Sequence, residues 1–357
     1  MTVIIFLIVL AVLIFVHELG HFLIARLCGI RVDAFALGFG PKLISKKVGE
    51  VVYSLNLIPF GGYVKIFGEN PNDESIAGPD KNRSFIHKTK MEQIAVLSSG
   101  VLFNFIFAWI LIFFAFLSGV PASVSSYPQN IGDMKDKHIA IIYVNHGSPA
   151  DRAGLKAGDV LLENSIEEIQ KKIVLSQGKP IEIKYSRNKI ESEVRVTAEI
   201  KATESKYTVG IIMDNIGILK LGLVDSFVES LRFTLHTIYE TFAGLYELIK
   251  GIFIGESKLS SVTGPIGIAG LIGDAAKLGF TYLIMFTAII SINLGVLNLV
   301  PFPALDGGRI LFVIIESIIR KPIKPIVANT INTIGFGLLM ILIIVVTYKD
   351  IVKIFVE

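Results

Sequence analysis

The amino-acid sequence predicts an α-helical polytopic membrane protein with four transmembrane helices, a membrane-associated β-hairpin region and one inserted α+β domain. Of the 357 residues, 52% are hydrophobic and only 18% are charged, which is outside the usual composition of soluble proteins. Four apolar segments are long enough to cross a bilayer. A long polar stretch separates the second of them from the third. Within it, apolar and polar residues alternate as in β-strands, and a short segment with helical periodicity lies between these strand patterns.

The four apolar segments cover residues 2–24, 94–117, 281–300 and 331–347. The first has the hydrophobicity of a secretory signal, but it lacks both a basic leading segment and a cleavage site of small residues. We therefore expect it to remain in the protein as a transmembrane helix.

Lysine and arginine are concentrated in the link between the first two spans and in the link between the last two. These residues are Arg26, Arg31, Lys42, Lys46, Lys47, Lys65, Lys81, Arg83, Lys88 and Lys90 in the former, and Arg309, Arg320, Lys321 and Lys324 in the latter. Links rich in such residues stay on the cytoplasmic side of a membrane. The N-terminus, the polar insert and the C-terminus are therefore expected to be extracytoplasmic.

The segment from Leu223 to Ile254 resembles a fifth span, but polar residues recur along it at intervals of three, four or seven. A polar stripe along one face predicts an amphipathic helix that lies on the membrane surface. The alternative is a helix that packs on a soluble domain.

The first span contains the pattern His17-Glu18-Leu19-Gly20-His21. Histidines four residues apart leave the same face of a helix and can share one metal ion, and a glutamate beside them is suited to act as a general base. The pattern also occurs by chance in soluble chains. Inside a membrane span, however, an ionisable group costs about 2.5 kcal/mol or more, which favours a functional site. We predict a zinc-hydrolase centre with two histidine ligands and Glu18 as the base.

Zinc held by two histidines needs a third protein ligand and an open position for water. The candidate is Asp306, which follows the third span where Pro301 and Pro303 break the helix. The alternative is that Asp306 is a turn residue, since Leu-Asp-Gly-Gly is also a turn sequence. If Leu223 to Ile254 does not cross the membrane, the first and third spans run parallel, and Asp306 then reaches the depth of the histidines.

The link from Ala34 to Phe67 has alternating apolar and polar residues between Gly38-Phe-Gly-Pro41 and Pro59-Phe-Gly-Gly62. This pattern predicts short β-strands joined by turns. A strand edge here could hold an extended peptide by backbone hydrogen bonds, and a purely structural hairpin is the alternative.

The polar insert, residues 137–199, has strand patterns at Ile139–Val144, 181–185 and 192–198 and a helical pattern at Ile166–Leu175. With the Gly-Asp turn at Gly158, this order is that of a PDZ-like domain. Such domains bind extended peptide ends by strand addition, and the alternative role is a passive spacer.

Other features exclude several classes of function. A net charge of +3 without a basic tract or a phosphate-binding loop argues against a nucleic-acid partner. Cys28 is the only cysteine, so an intramolecular disulfide and a cysteine zinc site are both excluded. The remaining histidines have no ligand spacing to one another: His87, His138, His146 and His236.

Together these motifs resemble the site-2 protease family of intramembrane zinc metalloproteases, in its bacterial RseP-type branch with a single PDZ domain. The resemblance runs nearly end to end, through His17-Glu18-x-x-His21, Gly38-Phe-Gly-Pro, Ser-Gly100-x-x-x-Asn104, Gly264-Pro-Ile-Gly-Ile-Ala269 and Asn298-x-x-Pro-x-Pro-x-Leu-Asp306-Gly-Gly. The chain departs from the family in having Gly100-Val101 where Gly-Pro is frequent. It also lacks Asn-Gly after the Gly-Asp strand, which weakens the expectation of peptide binding by the PDZ-like segment.

The resemblance implies that His17, His21 and Asp306 bind Zn²⁺, that Glu18 activates water, and that Asn298 and Asn104 bind the substrate. The implied partners are transmembrane proteins or peptides within the lipid bilayer, such as anti-sigma factors or remnant signal peptides. An upstream site-1-type protease would trim these substrates first. The implied location is the bacterial inner membrane.

The expected division of the chain is a first membrane part at 1–120, the PDZ-like domain at 121–216, a surface helix with its connector at 217–280, and a second membrane part at 281–357. Two other functions stay open at this point. A membrane metal transporter also places histidine and glutamate in spans, although it usually has internal repeats that this sequence does not show. A non-catalytic PDZ membrane receptor would not need Glu18.

Overall fold

The computed structural model describes residues 1–70, 73–124, 133–187, 190–200, 207–255 and 263–356. Its helices are α1 (Thr2–Leu27), α2 (Asp73–Ala77), α3 (Lys90–Ser118), α4 (Pro149–Arg152), α5 (Ile166–Leu175), α6 (Leu223–Ile254), α7 (Pro265–Leu278), α8 (Phe280–Leu299), α9 (Asp306–Ile319) and α10 (Pro325–Val356). Its strands are β1 (Val32–Val48), β2 (Val51–Ile66), β3 (Val120–Ser123), β4 (Asp133–Val144), β5 (Val160–Leu161), β6 (Pro180–Arg187), β7 (Ile190–Thr197), β8 (Glu199–Ile200), β9 (Tyr207–Thr208) and β10 (Ile211–Lys220). The chain forms two compact units, residues 1–114 with 228–357, and residues 115–227.

Within the described residues, four helices are long and apolar enough to cross a membrane, namely α1, α3, α8 and α10. The four apolar helices predicted from the sequence are thus present, and their lengths and compositions are compatible with a membrane protein. α10 begins at Pro325 rather than near residue 331, because Asn329 and Thr330 lower the local hydropathy without preventing a helix, and proline is tolerated in a first helical turn.

The amphipathic helix predicted at Leu223–Ile254 is α6, with the same bounds. Large apolar side chains along it are exposed, among them Leu235 at 58%, Tyr239 at 67% and Tyr246 at 64%. Such exposure is unfavourable in water but suits a helix whose apolar face meets lipid. The helix is confirmed, and its place on a membrane surface remains a prediction.

β1 and β2 form the hairpin expected between Ala34 and Phe67. The hairpin curls on itself, because residues 34–37 of β1 pair with 62–65 of β2 on one side and with 52–55 on the other. Glycines with positive φ, including Gly38 at 82°, allow the bends. Residues 62–66 therefore form one edge of this sheet.

The hairpin packs on the second half of α1. One hydrophobic cluster joins Phe22 and Ala25 of α1, Phe35 of β1, Val64 of β2 and Val96 of α3. Burial of each large apolar side chain contributes roughly 1.5–3 kcal/mol. The cluster thereby fixes the H-E-x-x-H turn of α1 against both β2 and α3.

α7 was not predicted from the sequence, and it packs on the first half of α1. Ile272 of α7 lies in a cluster with Val9 and Leu13. The start of α7 is capped by the buried Asp350 of α10, whose carboxylate accepts hydrogen bonds from the backbone N–H groups at residues 264 and 267, at 3.2 and 2.8 Å. This contact joins the last span to the helix that supports the first.

The unit of residues 115–227 contains a six-stranded sheet in the order β3-β10-β4-β5-β6-β7. The strands and the helix predicted in the polar insert are confirmed, and α5 has the predicted bounds. α5 begins after Ser165, whose hydroxyl accepts a hydrogen bond from the N–H of Glu168, and it buries Ile169 and Ile173 on the sheet.

An ion pair between a buried aspartate and a partly exposed arginine stabilises the same unit. Asp159 is 1% exposed and accepts hydrogen bonds from Nε and Nη2 of Arg187 at 2.6 and 2.7 Å. Hydrogen bonding to Asp159 raises the pKa of Arg187. The Gly-Asp turn is therefore a structural feature of this unit, while the PDZ-like assignment and the predicted domain bounds remain predictions.

Candidate metal centre

The two histidines of the H-E-x-x-H pattern lie side by side on α1. Their ring centroids are 4.8 Å apart and their planes are nearly perpendicular. The Nε2 atoms of His17 and His21 are 3.2 Å apart. The helical spacing thus brings both imidazoles to one face, as the sequence predicts.

Asp306 meets these histidines although it is far away in the sequence. Its Oδ2 atom is 3.1 Å from Nε2 of His17 and 3.4 Å from Nε2 of His21. Asp306 is the first residue of α9, and it follows the non-helical segment 300–305, in which Ala304 has a left-handed φ of 75°. The segment predicted as unwound is therefore present, but Asp306 begins a helix rather than occupying a turn.

The two glycines after Asp306 allow the backbone to fold back closely on itself. A Cβ atom on Gly307 would lie 2.3 Å from the carbonyl oxygen of Leu299, and one on Gly308 would lie 2.2 Å from the carbonyl oxygen of Phe302. Neither distance is possible for a side chain. The close approach expected from the Gly-Gly pair is thus confirmed, and it turns the carboxylate toward α1.

α3 forms a wall behind both imidazoles through Val96, Gly100 and Asn104, which lie four residues apart on one helical face. The carbonyl oxygen of Val96 is 2.9 Å from Nδ1 of His21, and the amide of Asn104 is 3.2 Å from Nδ1 of His17. Gly100 lies between them, where a Cβ atom would be only 2.4 Å from Nε2 of His21. Val96 and Asn104 therefore contact the Nδ1 side of the two rings, and the lack of a side chain at Gly100 leaves space beside both Nε2 atoms.

The hydrogen bond to Val96 identifies the free nitrogen of His21. A carbonyl oxygen only accepts, so Nδ1 of His21 carries the hydrogen and Nε2 presents a lone pair. That lone pair lies near Oδ2 of Asp306, which is buried without a hydrogen-bond partner among the described residues. The Nε2 lone pair of His21 and the carboxylate oxygen of Asp306, 3.4 Å apart, therefore form a pair of electron donors that suits a bound cation.

The donor set fits zinc. Ligand atoms of His17, His21 and Asp306 lie within 4.8 Å of one another, and this is the only such group found within the described ranges. Two imidazole nitrogens and one carboxylate oxygen leave a fourth position for water, as in hydrolytic zinc sites.

Glu18 lies beside this group and faces the hairpin. A Cβ atom on Gly62 would be 3.2 Å from Cγ of Glu18, and the backbone of Val64 interacts with the Glu18 carboxylate. His17 and His21 both interact electrostatically with that carboxylate. The predicted base therefore lies between the histidines and the edge of the hairpin at 62–66.

The two asparagines expected to bind substrate have different surroundings. Asn298 is half-buried in the last turn of α8, and no described residue hydrogen-bonds to its amide. Asn104 is completely buried, and its amide is directed at His17. Only Asn298 thus has an amide group that is open to a further molecule.

Sequence reasoning missed the contributions of Val96, Gly62 and Arg309. Val96 acts through its backbone carbonyl, which has no sequence signal. In the sequence Arg309 is only one of the positive charges of the last link, but in the structure its guanidinium pairs with Glu69 and interacts electrostatically with Glu18. Arg309 lies one helical turn after Asp306, and residues three apart are neighbours on one face of a helix. This spacing is the sequence signal that places Arg309 near the candidate site.

Gly100→Ala should strongly reduce zinc occupancy, because the added methyl group would lie within contact distance of both Nε2 atoms. Metal analysis of the purified variant measures the effect. The matched control is Gly244→Ala in α6, where a Cβ atom meets nothing within 4 Å and zinc should be unchanged. Full zinc content in the Gly100 variant would contradict this geometry.

The chain is similar to known zinc metalloproteases. The chain matches the model of peptidase family M50 over residues 5–342. A protein of Clostridium perfringens that is provisionally named a zinc metalloprotease is 37% identical over 99% of both chains. The zinc metalloprotease RasP of Geobacillus kaustophilus is 31% identical, over 99% of this chain and 98% of its own. The regulator of sigma-W protease RasP of Bacillus subtilis is 30% identical over 99% of both.

The match includes α1 and the start of α9, so it covers both parts of the metal centre. It favours an enzyme over the metal transporter and the receptor that the sequence alone leaves open. The chain belongs to peptidase family M50, the site-2 protease family of zinc metalloproteases, and Zn²⁺ is its expected cofactor.

Proposed function

We propose that this protein is an intramembrane endopeptidase that hydrolyses a peptide bond within a transmembrane segment of its substrate. The observation that carries the proposal is the position of the metal centre. His17, Glu18 and His21 all lie in α1, a helix of 26 residues that is apolar enough to cross a membrane. A protease whose reactive groups lie within such a helix acts on bonds that enter the bilayer with the substrate.

The residues of the centre divide the chemistry between them. His17, His21 and Asp306 would hold zinc, which when bound acts as a Lewis acid and lowers the pKa of its water. The Glu18 carboxylate would accept the proton of the attacking water and pass it to the nitrogen of the leaving amine. The nearby edge of β2, through Val64, would hold this carboxylate in place.

The substrate helix must unwind before any of its peptide bonds can be attacked, since a helix satisfies all its backbone groups internally. Residues 62–66 form a sheet edge beside Glu18, and such an edge can hold an extended chain by strand addition. The amide of Asn298 would bind a further peptide group of the unwound segment. These contacts would compensate for the helical hydrogen bonds that the substrate loses.

We infer that the substrates are already trimmed, like anti-sigma factors or remnant signal peptides, and that an upstream site-1-type protease trims them. The Bacillus subtilis relative is named a regulator of sigma-W protease, which supports a membrane-bound regulator as the substrate class.

Cleavage of a single-span substrate in reconstituted vesicles tests this function. The purified protein, loaded with zinc, is mixed with a peptide made of one apolar segment and short polar ends, and the products are weighed by mass spectrometry. We expect one cut inside the apolar segment, and no cut by protein stripped of zinc. Cuts confined to the polar ends would contradict intramembrane cleavage.

We also propose that the protein lies in a bacterial inner membrane with its N-terminus, C-terminus and inserted domain outside. The lysine and arginine bias of the two short links supports this orientation. The metal centre would then lie toward the cytoplasmic end of α1, since His21 is close to the end of that helix.

Cysteine labelling in intact cells checks the orientation. Ser192→Cys, on β7, should react with an impermeant maleimide, whereas Ser45→Cys, on β1, should react only after permeabilisation. Both serines are exposed. Burial raises the pKa of the Cys28 thiol and slows its reaction, but Cys28→Ser is used as the background. The reverse pattern would invert the proposed topology.

The unit of residues 115–227 would act as an external filter for substrates. We propose that it is a PDZ-like domain, that the chain divides at about 120, 216 and 280 as the sequence predicts, and that substrates with bulky external parts are excluded. The exposed edges of its sheet, such as β7, and its separate core support an independent binding module.

Removing the filter should broaden substrate choice without loss of zinc. Ser123 of β3 pairs with Ile216 of β10, so residues 124–215 can be replaced by a short glycine turn that keeps this pairing. We expect the shortened enzyme to cleave a span that carries a folded external domain, which the intact enzyme rejects. The same truncation with Glu18→Gln is the control. If the shortened enzyme rejects the substrate with the folded external domain as fully as the intact enzyme does, the unit is not a filter.

A further inference from the structure

The side chain of Asn104 lies behind His17, on the side of the ring opposite Nε2. Its Nδ2 atom is 3.2 Å from Nδ1 of His17. The residue is completely buried, and its Oδ1 atom has no hydrogen-bond partner among the described residues. Its backbone carbonyl accepts a hydrogen bond of 2.8 Å from the hydroxyl of Ser291 on α8. The backbone is thus fixed, and rotation about the last side-chain bond is the simplest freedom left to the amide.

Metal binding determines which atom His17 presents to this amide. A neutral imidazole carries one hydrogen, and when Nε2 binds a metal ion that hydrogen is on Nδ1. The present orientation of Asn104 would then set one donor against another. A half-turn of the amide exchanges Nδ2 and Oδ1, so that an oxygen accepts the Nδ1 hydrogen. The same half-turn gives the unpartnered oxygen its partner.

His21 already has the corresponding arrangement. Its Nδ1 donates to the carbonyl oxygen of Val96 at 2.9 Å, which leaves Nε2 free on the side of Asp306. Val96 and Asn104 lie on the same face of α3, two helical turns apart. One helix therefore supplies an acceptor to each histidine, a backbone oxygen to His21 and a side-chain oxygen to His17.

We propose that Asn104 is a positioning residue of the metal centre: its side-chain oxygen accepts the Nδ1 hydrogen of His17 and holds Nε2 in the tautomer that binds zinc. The complete burial of the amide and its direct contact with the imidazole favour this role over the substrate contact expected from the sequence. Hydrogen-bond partners of this kind orient metal-bound histidines and raise their basicity. Of the two acceptors on α3, only Asn104 can be removed by substitution.

Two substitutions separate an acceptor from a donor at this position. Asn104→Asp has the same shape and, when ionised, only accepts, so it should keep zinc affinity near that of the wild type. Asn104→Leu has a similar volume and no acceptor, and it should weaken zinc binding by roughly 10- to 100-fold. Affinity is measured by competition with a chromophoric chelator, on the full-length protein in detergent. The visible spectrum of the cobalt-substituted protein gives a second readout, which should change in the leucine variant and be kept in the aspartate variant.

The matched control is Asn293→Leu in α8, which removes a half-buried asparagine that accepts a hydrogen bond from Thr241 and is not among the histidine partners. It should leave zinc affinity and the cobalt spectrum unchanged. Thermal unfolding of each metal-free variant reports on folding, and if the leucine variant does not fold, the aspartate variant alone decides. Retained affinity in that variant supports the proposal. Affinity lost with aspartate would make Asn104 a donor, and unchanged affinity with leucine would remove its role altogether, so either result overturns the proposal.

Discussion

Replacing Glu18 by glutamine is expected to abolish proteolysis while zinc stays bound at close to one ion per chain. The substitution keeps the size of the side chain but removes the group that accepts the proton of the attacking water. Proton transfer by a positioned group contributes typically about 10²- to 10⁴-fold to a rate. Glu18 lies beside the donor set rather than within it, so metal binding should not depend on its charge.

Two assays on the same sample measure this effect, namely cleavage of a reconstituted transmembrane peptide and metal analysis. Glu316→Gln is the matched control, because it makes the same chemical change in α9, where Glu316 pairs with Lys90 at 2.5 Å. The control should keep most of the activity. A Glu18 variant that loses its zinc would show that Glu18 is a ligand, and one that stays active would exclude it as the base.

Asp306→Ala is expected to lose most of the bound zinc and, as a consequence, the activity. Two imidazoles would remain, and a site of this type needs three protein ligands. The loss of affinity should exceed the roughly 10- to 100-fold that removal of an outer hydrogen-bond partner costs. The matched control is Asp350→Ala, which removes another buried aspartate from the membrane unit, one that caps α7 rather than facing the histidines.

The control separates ligand loss from unfolding. Asp350→Ala should lower thermal stability by about 0.5–2 kcal/mol, the usual cost of a lost helix cap, and leave zinc content unchanged. If the Asp306 variant keeps its full zinc content, the third ligand lies elsewhere. Equal loss of zinc in both variants would point to a general structural effect.

The arrangement of the five-residue H-E-x-x-H segment could be predicted from the sequence, because helical geometry alone brings His17 and His21 together. The sequence also points to Asp306, since two prolines and two glycines at the end of a span indicate unwound backbone, and the structure brings this residue beside both histidines. The sequence did not give the reason for both glycines, which is that their Cα atoms lie against backbone carbonyl oxygens. It also left open whether Asp306 begins a helix.

The contribution of α3 could not be predicted in the same way. The acceptor for His21 is a backbone carbonyl, and any residue at position 96 would provide it. Only the family motif draws attention to Gly100. The same motif suggests that the amide of Asn104 binds substrate, because a motif does not show the direction in which a side chain points. Contacts between helices that are distant in the sequence depend on how the helices pack. Hydrophobic periodicity predicts which face of a helix is buried, but not which residues of another helix lie against that face.

The hairpin shows the same limit. Alternation predicted strands between Ala34 and Phe67, but not that residues 34–37 would pair with two separate parts of β2. That pairing is non-local, and it is what brings Val64 to Glu18. α7 was missed because its short apolar sequence follows a segment whose composition is that of a connector.

X-ray absorption at the zinc edge, measured on the purified protein, tests the metal centre most directly. The outer-shell scattering counts the imidazole ligands, and the first shell distinguishes nitrogen or oxygen, at about 2.0–2.2 Å, from sulfur, at about 2.3 Å. We predict two imidazoles, with the remaining ligands all oxygen, and the loss of one oxygen or of the zinc itself in Asp306→Ala. A sulfur ligand, a third imidazole, or an unchanged spectrum in that variant would contradict a centre built from His17, His21 and Asp306.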